Sequence, residues 1–596
     1  MRAFVQGTFA YAAQCWRLDR RRAVISLVLM LLQAASMPLA APALAALTDA
    51  VIDGDGGGAT IAALAVAVTV IASLTAGHIA HIFYFELAEA TTLSLNRELI
   101  DLSNGSAGLE HHERPEYADK LQVLRTEISR IGFQALQAVL TGLGLTLAIG
   151  ITAVLLARLD PWLLLLPLAA VPPLLLGRRA EAMVAGARER SAEDTRRARH
   201  LFTLSIDPGP AKELRVGNLD ATIRRRHAVA WARASRTLLR TENLALLVRL
   251  SGQLFFALAY VGATLLVVRN TVAGRGTVGD VILVLTLAAQ VSGQVTTAVT
   301  ILQTMQRTAH AMLNLTWVRR LVTAPPSHGI AADLPIPDRI EEGIAVRGVS
   351  FSYPGTDRPV LAGVDLHLPA GSTVAIVGEN GAGKTTLVKL LARFYETTSG
   401  TIELDGVDLR RFPLSGWRER IAAGFQDFAR FEFLARETVG VGHLPDIKSE
   451  AAVLGALDRA NAGSLLDRLE DGLETQLGHS ADGTELSGGQ WQKLALGRAM
   501  MRRTPLLLIL DEPTSALDAQ AEHLLFEQYA ANARRVSRTT GAITVLVSHR
   551  FSTVRMADLI LVVEGGRISE AGTHDQLMDA HGLYAELYTM QAAAYS

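Results

Sequence analysis

The chain has 596 residues, 49% of them hydrophobic and 19% charged, with a formal net charge of −1. That length is too great for one domain, and the balanced charge argues against a nucleic-acid partner. Cys15 is the only cysteine, so no internal disulfide is possible.

Mean hydropathy is +0.26, and the apolar excess sits in the N-terminal half. Runs there approach the roughly 20 residues needed to cross a bilayer. Six membrane helices are predicted at about 23–46, 59–86, 133–157, 161–178, 243–268 and 278–304. The third and fourth are joined only by Arg158-Leu159-Asp160. Pro161 opens the fourth, and Pro167, Pro172 and Pro173 interrupt it. Burial inside a large soluble domain is the poorer account of six such runs in one half. The first run has the length of a span and no convincing cleavage site, so no cleavable signal peptide is expected.

Positive charge sets the orientation. Arg17, Arg20, Arg21 and Arg22 precede the first span and place the N-terminus in the cytoplasm. The loop after that span carries Asp49, Asp53 and Asp55 and no lysine or arginine. Segment 179–242 is rich in arginine, including Arg196, Arg197, Arg199 and Arg224 to Arg226, and is also cytoplasmic by this rule. An even number of spans returns the chain to the cytoplasm. Two long cytoplasmic excursions, roughly 87–132 and 179–242, separate spans two from three and four from five. His111-His112 is a polar turn rather than a metal pair, because no further ligand cluster is in view. Within the spans, Gln33, Gln253, Gln290, Ser292 and Gln294 either line a pathway or bond helix to helix.

Segment 323–340, with Pro325, Pro326, Pro335 and Pro337, reads as a linker between a domain 1–322 and a domain 341–596. In the second domain Ser372 to Val377 is a short apolar run suited to a buried parallel strand. It leads into Gly378-Glu379-Asn380-Gly381-Ala382-Gly383-Lys384-Thr385, which fits the phosphate-loop template. Its glycines let successive N–H groups point inward and, with the following helix N-terminus, make a nest for phosphate. Lys384 is a point charge for the outer phosphates, and Thr385 offers a hydroxyl to magnesium, which prefers oxygen ligands. Leu486-Ser487-Gly488-Gly489-Gln490 follows. The apolar strand Leu506 to Leu510 then ends in Asp511-Glu512, at the strand end where open α/β sheets bind ligands. An acidic cap on the next helix is the poorer account of that pair. A last apolar strand, Ile543 to Ser548, ends in His549.

A phosphate loop, then Ser-Gly-Gly-Gln, then a strand ending in Asp-Glu resembles the ATP-binding cassette (ABC) family. The two cytoplasmic excursions resemble the exporter-type (type IV) membrane domain of that family. The resemblance covers nearly the whole chain and is most specific in the C-terminal half. It implies an all-α membrane domain of six helices followed by an α/β P-loop cassette, with ATP and Mg2+ as ligands. By resemblance Tyr353, in Phe351-Ser352-Tyr353-Pro354-Gly355, stacks on adenine, and Thr386 joins the phosphate loop. Thr385, Gln426 and Asp511 would hold magnesium, Glu512 would polarise the attacking water, and His549 would contact the γ-phosphate. Ser487, Gly488, Gly489 and Gln490 of one copy would close over the nucleotide on the phosphate loop of another. Ser515-Ala516-Leu517-Asp518 matches the family's dimer-contacting loop. His111 to Tyr117 looks like its first coupling turn, and Lys212-Glu213-Leu214-Arg215 resembles a stretch near the second.

The implied function is ATP-driven export of an amphipathic small molecule, lipid, peptide or natural product by alternating access. All catalytic positions are intact, which favours a homodimer of half-transporters over a heterodimer. An exporter-shaped importer, for example of a siderophore, a soluble cassette ATPase, and a regulator or channel are the alternatives. The high Ala, Arg and Gly content points to a GC-rich bacterial source, and an integral protein of its inner membrane is expected, with N-terminus and ATP domain cytoplasmic. Three features depart from the family pattern: Trp491 where arginine is commoner, Gly497 for a frequent alanine, and the segment 478–485.

Overall fold

The computed structural model describes residues 2–105, 108–109, 111–322, 332–356, 358–479, 482–512, 535–548 and 554–595. The chain forms two compact units, Met1–Asn104 with Asp119–Arg320, and Gly105–Ala118 with Leu321–Ser596.

The first unit is helical: α1 (Arg2–Leu18), α2 (Arg20–Ile52), α3 (Gly56–Asn104), α4 (Pro115–Leu159), α5 (Leu165–Ala169), α6 (Val171–Arg190), α7 (Ala192–Ile206), α8 (Ala211–Val216), α9 (Asp220–Val272) and α10 (Val278–Val322). Among the described residues six helical stretches are long and apolar enough to cross a membrane, the fourth running through Pro161–Arg190. Their ends are set by local chemistry. Asp19 caps α2 by accepting from the Arg22 N–H at 3.0 Å, and Asp55 caps α3 through the Gly57 and Gly58 N–H groups. Asp49 accepts from the Gly279 N–H at 2.7 Å and ties α2 to the start of α10. Acidic residues at the end of the first span thus serve as helix caps. Asp160 accepts from the Trp162 N–H, so α4 stops there and a 3-10 turn, Pro161–Leu164, begins the fourth span. The helices meet through small residues, with Ala41, Ala45, Ala76 and Ala80 buried, as in membrane bundles where close backbone approach replaces the hydrophobic drive. Large apolar side chains such as Leu64, Val68, Leu254 and Leu258 face outward.

The second unit holds two sheets. One contains β1 (Gly343–Phe351), β2 (Leu361–Pro369), β4 (Ser399–Leu404) and β5 (Val407–Asp408) in the order β2-β1-β4-β5, all antiparallel. The other contains β3 (Thr373–Gly378), β6 (Ile421–Gly424), β7 (Leu507–Asp511), β8 (Ile543–Val547), β9 (Leu559–Glu564) and β10 (Arg567–Gly572). Its order is β10-β9-β3-β8-β7-β6, parallel except for the β9–β10 hairpin. Strands β3, β7 and β8 are almost wholly buried, which explains their unbroken apolar sequences. Helix α11 (Lys384–Leu391) follows β3 and buries Leu387, Val388 and Leu391 in the same core as Val374 and Ile376.

Helix α12 (Leu414–Glu419) joins β5 to β6, and after β6 comes a helical part with its own core, containing α13 (Ala435–Gly440), α14 (Glu450–Arg459) and α15 (Gly488–Met500). It gives a physical reason for two of the departures. Trp491 is 1% exposed and fills that core. At Gly497 an added methyl would stand 3.1 Å from the end of the Leu457 side chain, a tight contact to which Leu457 would have to yield by a few tenths of an ångström, so glycine eases the packing of α14 onto α15.

Residues 105–118 belong to the second unit. The Leu109 N–H donates to the Phe394 carbonyl at 3.1 Å, and Leu109 packs on the sheet core. The Lys389 ammonium, on α11, pairs with Glu113 at 3.0 Å. Burial opposes the Lys389 charge, but the hydrogen bond to Glu113 and the neighbouring Tyr353 outweigh it and hold its pKa above the usual value. The pair is partly exposed, so the double-mutant cycle of Glu113→Ala and Lys389→Ala should return a coupling of about 0.5–1 kcal/mol in thermal or denaturant unfolding. A coupling of zero would mean that the pair adds nothing to the seating of this turn.

Candidate nucleotide site

The registers align three strand ends. Ile376 of β3 and Asp511 of β7 both pair with Val547 of β8. The loops that leave these strands therefore converge at the carboxyl edge of the sheet, the usual ligand edge of such a fold.

The phosphate loop curls at Gly378, Gly381 and Gly383, with φ of 144°, 82° and 110°. A side chain at Gly378 would also strike the Val563 carbonyl at 2.2 Å, because β9 runs alongside. Lys384 opens α11 and turns back over the loop, where its ammonium donates to the Gly378 and Glu379 carbonyls at 2.8 Å each. Burial lowers its pKa, against the pull of Glu512 and Asp511. The lysine thus lies buried, wrapped by its own loop and facing two carboxylates.

Asp511 is buried at the end of β7. Burial first, and the adjacent Glu512 charge second, push its pKa up to about 6, while a hydrogen bond from Thr385 and the Lys384 charge oppose the rise. A crowded carboxylate bonded to a hydroxyl is a donor set that suits a hard cation with oxygen preference. Thr385, Asp511 and Gln426 fit magnesium in that sense.

Glu512 adopts a left-handed backbone with φ of 48°, an uncommon conformation for a long side chain and one that needs support from its surroundings. Three elements supply it. The Glu512 N–H donates to the Val547 carbonyl at 3.0 Å. The Gln426 amide, two residues past β6, donates to Glu512 Oε2 at 2.8 Å. Gln492, buried on α15, reaches the Glu512 carbonyl at 3.5 Å. Sequence reading missed Gln492. Its only signal was its place two residues after Gln490.

Ser487 and Gln490 form a capping box at the start of α15. The Ser487 hydroxyl accepts from the Gln490 N–H at 3.3 Å, and Gln490 Oε1 accepts from the Ser487 N–H at 2.7 Å. Gly488 and Gly489 form the first turn of α15. Tyr353 is half-buried, edge-on to Phe351 and Tyr395, with its hydroxyl 3.0 Å from the Thr386 hydroxyl and 3.5 Å from Lys389 Nζ. The structure brings together the phosphate loop, Thr385, Asp511, Glu512 and Gln426. Among the described residues no hydrogen bond joins Ser487 to that group. His549, Pro513 and Ser515 to Asp518 lie outside the described residues.

Residues 361–515, which carry this loop, the capping box and the Asp511-Glu512 pair, match the family described as ABC transporter, and that segment belongs to it. The whole chain has the fold of an exporter of that class, helical unit and cassette in one polypeptide. It superposes on a bacterial Atm1-family ABC exporter solved with ATP bound, with a TM-score of 0.75 and 25% identity over 96% of this chain and 98% of that one. It is similar to the ATP-dependent lipid A-core flippase of Chromobacterium violaceum, 43% identical over 243 residues, which are 41% of this chain and 40% of the flippase. The flippase of Chromohalobacter salexigens is 37% identical over 339 residues, 57% of this chain and 56% of that protein. The chain thus matches about half or less of the length of these relatives.

Proposed function

We propose that the chain is an ATP-driven membrane exporter that works as a homodimer of half-transporters by alternating access in a bacterial inner membrane. Its N-terminus and cassette face the cytoplasm. One observation carries this reading. The chain holds both parts of a composite nucleotide site, a phosphate loop with its carboxylates and a separate capping box whose Ser487 hydroxyl, among the described residues, bonds to Gln490 and not to that loop. A second copy supplies the complement to each.

Lys384 and the loop N–H groups bind the outer phosphates of ATP. Thr385, Asp511 and Gln426 would hold magnesium, which would supply charge neutralisation there. Glu512, oriented by Gln426, polarises the attacking water, and His549 reaches the γ-phosphate. Such a transfer depends on positioning and charge rather than on a covalent nucleophile. The partner's Ser487 and Gly489 complete the cradle, so closure of two cassettes licenses hydrolysis and drives the helices outward.

In sealed inside-out vesicles the chain should accumulate a nitrobenzoxadiazole-labelled lysophospholipid with ATP and not without it. ATP-dependent uptake only in right-side-out vesicles would replace export by import. Hydrolysis with no movement of any labelled amphiphile would favour a cassette ATPase without transport.

Tyr353 tests the adenine side of the site. Tyr353→Ala should weaken ATP binding by about 1–2 kcal/mol, the size of one aromatic stacking contact, and Tyr353→Trp should restore it. Nucleotide titrations in which both variants behave alike would remove the stacking role.

A further inference from the structure

We propose that Gln492 is a positioning residue for ATP hydrolysis: from helix α15 it holds the backbone of Glu512 and so aims that carboxylate within its own chain's site. The inference rests on the reading of Glu512 as the group that polarises water.

Glu512 needs such a hold. Its φ of 48° is left-handed. Pro513 follows it in the sequence, and a proline steers the residue before it toward extended backbone. A conformation disfavoured on both counts persists only when its surroundings over-determine it. Two of its supports come from the sheet, the Val547 carbonyl at the end of β8 and the Gln426 amide just past β6. The third comes from a helix. Gln492 is buried, and its Nε2 donates to the Glu512 carbonyl at 3.5 Å. A long bond of this kind contributes little energy. It does limit which way the carbonyl of a strained peptide can turn, and the carboxylate is carried on the same residue.

The helix that holds this amide is itself held. Trp491, Leu494 and Leu496 of α15 share a core with Leu508 and Leu510 of β7, the strand that ends at Asp511. Leu496 also lies against β6, where a methyl added at Gly424 would stand 3.2 Å from it. Along α15 the residues Trp491, Leu494, Ala495 and Leu496 are buried and apolar, and Gln492 is the buried amide among them. Burial of an amide is costly unless it has a hydrogen-bond task, and an apolar side chain of the same length would suit packing alone. Gln492 lies five residues after Ser487, about one and a half turns along the helix. One helix therefore offers its first turn to the partner's nucleotide and its second to Glu512 of its own chain.

The test is steady-state and single-turnover ATP hydrolysis by the full chain in phosphatidylcholine nanodiscs. Gln492→Met keeps the length and removes the donor. It should lower kcat about tenfold or more, because small misplacements of a reacting group are costly. The KM for ATP should stay within about twofold, since an interaction made only in the transition state is lost; Lys384 and the loop carbonyls it bonds are untouched. In a Glu512→Gln background the same substitution should change the residual single-turnover rate by less than about twofold, because no carboxylate is left to aim. Gln492→Glu gives a conditional rescue. A buried carboxyl beside Glu512 takes up a proton more readily than an exposed one. Protonated, it donates to the Glu512 carbonyl as the amide does; ionised, it cannot. Its rate relative to the parent should rise about fivefold or more between about pH 8.5 and about pH 6.5. Asp511 and Lys384 also stand near Glu512, but both are present in parent and variant, so the ratio isolates residue 492.

A Gln492→Met protein with the parent's kcat would overturn the proposal. So would a loss that persists undiminished in the Glu512→Gln background, or a KM that rises in step with the fall in kcat. If Gln492→Met does not fold, the Gln492→Glu ratio decides, and a ratio that is flat with pH overturns the proposal. Ordinary turnover in Glu512→Gln alone sinks the reading of Glu512. An inactive Glu512→Gln beside a normal Gln492→Met sinks this inference alone.

Discussion

Replacing Glu512 by glutamine is expected to lower steady-state ATP hydrolysis by about 100-fold or more, the range set by losing a positioned general base. ATP binding should survive. The phosphate cradle is built from Lys384 and the loop backbone, and neither depends on the Glu512 carboxylate for its shape. The substitution is close to isosteric. Gln426 now donates to Glu512 Oε2 at 2.8 Å and can donate equally to an amide oxygen. The left-handed backbone at 512, the bond from its N–H to Val547 and the Gln492 contact to its carbonyl do not involve the side chain. A fall in turnover can therefore be assigned to lost water polarisation rather than to a collapsed loop. With ATP bound and not cleaved, two chains should remain closed on each other and appear as a nucleotide-dependent dimer of cassettes in cross-linking. Pure Glu512→Gln protein with ordinary steady-state turnover would remove Glu512 from the chemistry.

The parts that were legible in the sequence are those whose physics is local. A phosphate loop is fixed by glycine spacing and one lysine, because the backbone itself makes the nest. The strands β3, β7 and β8 are fixed by being apolar on both faces. The spans were legible in their apolar middles, but the helices run on. The second span was read to about 86 and α3 continues to Asn104; the fifth was read from about 243 and α9 begins at Asp220. Beyond the bilayer the side chains turn polar, so hydropathy falls although alanine, arginine, leucine and glutamate keep the backbone helical. Pro38 and Pro42 lie inside α2 without ending it, as neighbouring helices permit in a membrane. The polar residues of the spans were also ambiguous one by one. Gln290 donates to the Met37 carbonyl at 2.9 Å and Gln294 to Thr152, so both serve contacts between helices. Glu113 and Lys389 are remote in the chain and meet only through the fold.

A pair of inactive chains should regain activity when mixed. Ser487→Arg places a bulky cation at the start of α15 in place of the hydroxyl that caps it. Lys384→Ala removes the fixed charge of the phosphate loop. Each homodimer should lose nearly all ATP hydrolysis, because both of its composite sites carry the defect. In a mixed dimer the altered capping box of one chain faces the altered phosphate loop of the other, so both defects fall in one site. The second site keeps Lys384 and Ser487 intact. Mixed dimers isolated with two different affinity tags should recover up to about half of the parent rate if one site can turn over alone, an arithmetic that follows from counting intact transition-state cradles. If Ser487 acted on the phosphate loop of its own chain, each chain would carry a ruined site and mixing would restore nothing. A mixed dimer no more active than either parent therefore counts against the shared site unless its sites are obligatorily coupled. Photocross-linking of labelled ATP separates these cases: label retained on the Ser487→Arg chain, whose phosphate loop is unaltered and faces the intact capping box, shows a shared site that cannot turn over alone, whereas label no stronger than in the Ser487→Arg homodimer shows that the partner contributes nothing to it.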